Sequence, residues 1–143
     1  MADTSVSTVI IDAPLAEVEA ALFTIEAYPD WLTSIKKVDV VERDGDHVTK
    51  AKVSIDAGMM KDRAILDYDW SAAPSSLSFS LDEADLLTQM DGVYTLKAID
   101  ADSTQVTYEL TVAVSLPVPA MMITKAQQQT IDAALKELAE HLA

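Results

Sequence analysis

Residues 104–119 read Thr104-Gln105-Val106-Thr107-Tyr108-Glu109-Leu110-Thr111-Val112-Ala113-Val114-Ser115-Leu116-Pro117-Val118-Pro119. Val106, Tyr108, Leu110, Val112 and Val114 point one way, and Gln105, Thr107, Glu109, Thr111 and Ala113 the other, the period-two pattern of a strand with one wet face. Pro117-Val118-Pro119 ends that strand. From there the chain reads as a helix to its end, with Ile131, Leu135, Leu138 and Leu142 on one stripe and Lys136, Glu137 and Glu140 off it. A one-sided strand followed by a long amphipathic helix implies a sheet whose apolar face that helix covers.

Working back from this segment, further strand patterns appear. Met90-Gly92-Tyr94-Leu96-Ala98, Leu77-Phe79-Leu81 and Ala64-Leu66-Tyr68-Trp70 each alternate with mostly polar or small neighbours. Two more runs, near 35 to 43 and from His47 to Ile55, flank the turn Asp44-Gly45-Asp46. Short turns such as Ala73-Pro74-Ser75-Ser76 and Asp100-Ala101-Asp102-Ser103 make consecutive strands antiparallel, because a parallel return needs a crossover of about a dozen residues. At the N-terminal end, Ser5 to Ile10 suits a first strand and Asp12 and Pro14 signal a helix start. Leu15, Val18, Leu22 and Ile25 form a helical stripe, broken at Tyr28-Pro29-Asp30-Trp31. The expectation is an α+β chain: strand, short split helix, six strands and a long helix, in one domain over residues 1–143.

With 10 basic and 24 acidic residues the net charge is −14, which repels phosphate backbones and makes a nucleic-acid partner unexpected. The absence of cysteine excludes disulfides, thiol nucleophiles and thiolate metal sites. No apolar run reaches the ~18 residues of a membrane span, and the N-terminus lacks a basic segment followed by an apolar stretch, so the chain reads as cytoplasmic without integral membrane association.

The C-terminal helix is more polar in its first half. Extending its stripe backwards from Ile131 brings Gln127 or Gln128, Thr124 and Ala120 toward the sheet, where a tight core would hold Leu or Ile. This predicts a gap lined by Tyr68, Trp70, Phe79, Tyr94 and Tyr108, with Thr124 and Gln128 as its polar groups. Trp31, Met90 and Ala120 complete the candidate lining. Met60 and Met121 sit at element ends, where flexible thioethers suit an adaptable mouth as well as ordinary gap-filling. Aromatic residues on an inward strand face are also ordinary core, so each candidate competes with that plainer role.

The helix before Tyr28-Pro29-Asp30-Trp31, Gly92-Val93-Tyr94, the run from Thr104 to Leu110 and the Pro117-Val118-Pro119 lead-in together resemble the SRPBCC superfamily. That superfamily includes START domains, birch-pollen-allergen-like proteins, coenzyme Q-binding proteins and bacterial polyketide cyclases/dehydrases. The resemblance spans nearly the whole chain and implies the helix-grip fold, a seven-stranded curved antiparallel sheet around a long C-terminal helix. It also implies binding or transport of a hydrophobic small molecule, such as a lipid, isoprenoid, quinone or polyketide, between sheet and helix. Aromatase/cyclase members place an arginine inside the pocket. Here Arg43 lies beside a turn and Arg63 has the opposite parity to Ala64, Leu66, Tyr68 and Trp70, so this chain departs from that pattern.

No catalytic set emerges from the residues. His141 sits near a helix C-terminus, His47 follows a turn without an identifiable partner, and Asp67 and Asp69 face away from Tyr68. Neither a metal-ligand spacing nor a cofactor motif is present. A carrier of an apolar ligand is the first expectation. A cyclase/dehydrase whose tyrosines steady an oxyanion is the alternative, a protein-interaction module the third, and the residues leave oligomeric state open.

Overall fold

A computed structural model describes residues 4–56 and 61–142. In chain order the elements are β1 (Ser5–Ile11), α1 (Leu15–Phe23), a 3-10 turn (Ile25–Asp30), β2 (Ile35–Asp44), β3 (His47–Asp56), β4 (Lys61–Asp69), β5 (Ser76–Ala84), β6 (Leu87–Asp100), β7 (Ser103–Val114) and α2 (Ala120–Leu142). The strands form one antiparallel sheet in the order β1-β7-β6-β5-β4-β3-β2. Beyond the β2-to-β7 meander read from the turns, β1 closes onto β7. The sheet and the long α2 make the helix-grip arrangement.

The β7 alternation holds residue by residue: Val106, Tyr108, Leu110 and Val112 are buried, and the intervening side chains are only half-buried. Gly45, at φ 61°, supplies the left-handed residue that the tight β2–β3 turn requires. On α1, Val18 and Leu22 are buried; Ile25 continues their stripe into the 3-10 turn. Pro14 caps α1 without a side-chain hydrogen bond, and the break at Pro29 is stabilised by the Tyr28 hydroxyl, which donates to the Leu22 carbonyl at 2.5 Å.

Register decides which face of β1 turns inward. Ser7 opposes Tyr108 and Val9 opposes Val106, so the odd-numbered side joins the core and Val6 and Ile10 are exposed, at 49% and 58%. The inward Ser5 and Ser7 are matched by the polar residues of α2. Gln127 donates to the Ser5 hydroxyl at 3.0 Å and accepts from the Val112 N–H at 2.6 Å; Gln128 donates to the Ser7 hydroxyl at 2.7 Å. Ser7 in turn donates to Asp132 at 2.6 Å. The polar first half of α2 is thus partly a hydrogen-bonded seam along β1. Ile131, Ala134, Leu135 and Leu138 bury the second half, and Glu137 accepts from the Thr33 hydroxyl and backbone N–H.

Candidate functional site

Between the sheet and α2 lies a cavity of about 220 Å³. Its strand side carries Leu66, Tyr68, Phe79, Met90, Tyr94 and Tyr108; its helix side carries Ile123, Ala126, Gln127, Thr130 and Ala134. Ala126, Thr130 and Ala134 recur every fourth residue and leave the room that larger side chains would fill. Leu86, Leu116, Val118 and Met122 are at the mouth, where Leu116 is 53% and Met122 44% exposed. Tyr28 reaches the cavity from the helix break, so all four tyrosines of the chain line it.

Two cross-strand devices shape this lining. Gly92 stands directly opposite Phe79, and a Cβ at Gly92 would lie 2.2 Å from the tip of the Phe79 ring. The bare glycine therefore lets the ring lie flat over β6, a close approach no other residue permits. At the end of β4, the buried Asp62 carboxylate accepts the backbone N–H groups of Asp85, Leu86 and Leu87 at 3.2, 3.0 and 2.9 Å. It thereby fixes the β5–β6 turn that carries Leu86 to the mouth.

The polar groups inside are chiefly phenols, with Gln127 and Thr130 on the helix side. The Tyr94 and Tyr108 rings stack at 4.1 Å, which makes their phenols neighbours. Burial raises the pKa of Tyr28, Tyr68, Tyr94 and Tyr108 above the ordinary value near 10.0, because a phenolate would lose its hydration in this apolar space. For Tyr108 the neighbouring Tyr94 hydroxyl offsets part of that rise. All four are neutral hydroxyls at physiological pH. Among the described residues, no histidine, arginine or carboxylate lines the cavity, and its one lining cation is Lys61, three-quarters exposed and 3.8 Å from Asp56.

Of the residues expected from the sequence, Tyr68, Phe79, Met90, Tyr94 and Tyr108 line this cavity. Met60 lies outside the described residues. The other six are placed elsewhere. Trp70 follows the last residue of β4, so strand parity no longer governs it; its ring sits between Phe23 and His47, and its indole N–H donates to the Val48 carbonyl at 2.8 Å. Trp31 packs on Tyr28 and His141, away from the cavity. Met121 is 79% exposed and Ala120 is also exposed. Thr124 and Gln128 lie one residue, about 100° of helix, round from Ile123 and Gln127, which line the cavity in their stead. The missed residues are chiefly Tyr28, Ile123, Ala126, Thr130 and Ala134, and the four-residue spacing of the small ones is the signal that would have revealed them.

A second concavity, of about 350 Å³, lies on the outer surface among Ala20, Ala21, Ala27, Trp31, His141 and Leu142. Although the larger figure, it describes a groove open to solvent, in which a ligand would keep much of its hydration. The cavity under α2 is the one that encloses apolar surface.

The chain is similar in structure to a START superfamily protein from Mycobacterium smegmatis, at 23% identity over 97% of this chain and 96% of that one, with a TM-score of 0.90. It also resembles the Zhui aromatase/cyclase from Streptomyces sp. R1128, at 16% identity over 99% and 94% of the two chains and a TM-score of 0.79. A major latex-like protein from Panax ginseng superposes at a TM-score of 0.75 with 9% identity, over 99% and 97%. At these identities the likeness is one of fold. A comparison with curated proteins finds no match. The family described as polyketide cyclase / dehydrase and lipid transport matches residues 2–143, and the chain belongs to that family.

Proposed function

We propose that this protein binds or carries a hydrophobic small molecule in the cavity between the sheet and α2, as one domain over residues 1–143. The observation that carries the reading is an enclosed apolar space of about 220 Å³ whose interior polar groups are mainly tyrosine hydroxyls and Gln127. An engineered cavity of about 150 Å³ takes up benzene, so this one suits an apolar group on the order of ten non-hydrogen atoms, with the mouth free to admit a longer tail. The net charge of −14 argues against a nucleic-acid partner. No helix of the described residues is long and apolar enough to cross a membrane; together with the lack of cysteine this supports a cytoplasmic carrier.

A cyclase/dehydrase reading is favoured by one feature, the protonated phenols of Tyr68 and Tyr108 inside the cavity, which could stabilise a developing enolate oxygen. Enolisation also needs a base, and no described lining residue supplies a histidine or carboxylate. Binding without turnover is therefore the stronger reading.

Native mass spectrometry of the purified protein, followed by organic extraction, tests it. The expected result is one small apolar molecule per chain, absent from Ala126→Phe, whose ring would occupy the cavity. A Phe variant that retained the same molecule would overturn the assignment of the site.

A further inference from the structure

We infer that the ligand of this cavity is a neutral molecule that presents a carbonyl or comparable acceptor oxygen to the hydroxyls of Tyr68 and of the Tyr94–Tyr108 pair, and that carboxylate ligands are excluded. The inference rests on the binding reading above and narrows it to a chemical class.

The hydroxyls have different duties. Tyr28 spends its proton on the Leu22 carbonyl. Tyr94 and Tyr108 are stacked neighbours, and a bond between their hydroxyls would use only one of the two hydrogens. Tyr68 donates to no described residue, yet no fully enclosed side-chain polar atom of the described residues lacks a partner, so its oxygen is open to the cavity space. A donor left facing an apolar space is unfavourable, so an acceptor oxygen on the ligand completes what the protein leaves open.

Charge selects against acids. A carboxylate brought into this space would exchange water for apolar walls, with no buried cation among the described lining residues to meet it. Lys61 does not fill that role: its ammonium group is largely in solvent and already beside Asp56. The surrounding charge of −14 adds a repulsive field of the same sign. A fatty acid or aromatic acid is thus disfavoured where its methyl ketone is not.

Three probes of matched shape test this: 4-phenyl-2-butanone, 3-phenylpropanoate and butylbenzene, titrated by ligand-observed NMR at neutral pH against the wild type and the triple variant Tyr68→Phe/Tyr94→Phe/Tyr108→Phe. The ketone is expected to bind at least about tenfold more tightly than the carboxylate, which differs from it only in an O⁻ for a methyl. The triple variant is expected to weaken the ketone by roughly three- to tenfold, the worth of one hydrogen bond, while butylbenzene binds as before or better. Retained butylbenzene binding shows that the variant is folded. Phenylpropanoate binding as tightly as the ketone, or equal losses for ketone and hydrocarbon in the triple variant, overturns the inference and leaves the hydrophobic site standing. If the wild type bound none of the three, the site itself would be wrong and the inference with it.

Discussion

Gly92 and Phe79 show how much of the site depends on a single missing atom. The ring lies where a Cβ at position 92 would be, so Gly92→Ala must push Phe79 out of its place over β6 and into the cavity. We expect that variant to lose about 1–3 kcal/mol, as overpacked cores do, and to lose ligand affinity as well. Adding Phe79→Leu should restore both in part, because the smaller side chain vacates the contested space. Urea denaturation and ligand titration of the single and double variants check this; a Gly92→Ala protein as stable and as competent as the wild type would contradict it. Neither residue's sequence neighbourhood announces the contact, since they meet only through strand register.

At the scale of elements, Asp62 ties the β5–β6 turn to β4 and Gln127 ties α2 to β1 and β7. Asp62 accepts three backbone N–H groups of the β5–β6 turn, so Asp62→Ala strands them and is expected to cost about 1–3 kcal/mol by urea denaturation. Hydrogen exchange should quicken at Leu86 and Leu87 in that variant; exchange rates unchanged from the wild type would argue against the role. How legible such features were depends on period. The strands were readable because a period of two offers only two choices, and inward Tyr68, Phe79, Met90, Tyr94 and Tyr108 follow from it. On α2 each residue turns about 100°, so a stripe extended two turns beyond Ile131 blurs by one position, enough to exchange Ile123 and Gln127 for Thr124 and Gln128. In sequence Trp70 continues the Ala64-Leu66-Tyr68 alternation, but it and Trp31 lie beside element ends where periodicity lapses. Asp62 was illegible for another reason: one more acid among 24 carries no mark of the turn it caps.

The whole molecule concentrates its tyrosines in one place. In the unfolded chain each phenol ionises near pH 10; in the fold burial holds all four above that value. Above pH 10 the folded state therefore binds more protons than the unfolded state. Stability from this source is fully present below pH 10 and falls as pH rises past it, by about 1.4 kcal/mol per pH unit for each phenol that ionises only on unfolding. Tyrosinate absorbance and circular dichroism should consequently change together in one alkaline transition; tyrosinate appearing near pH 10 with the fold intact would place these hydroxyls in water. On the binding reading proposed above, the acidic surface and the apolar interior are separate provinces, and only the second holds the ligand. The most direct measurement of that division is the location of a bound hydrophobe by intermolecular nuclear Overhauser effects, with 4-phenyl-2-butanone as the probe. The account predicts contacts from its ring hydrogens to the methyl groups of Met90, Leu110 and Val112, inside the cavity. Contacts confined to Ala20, Ala21 and Leu142 would put the ligand in the surface groove and contradict it.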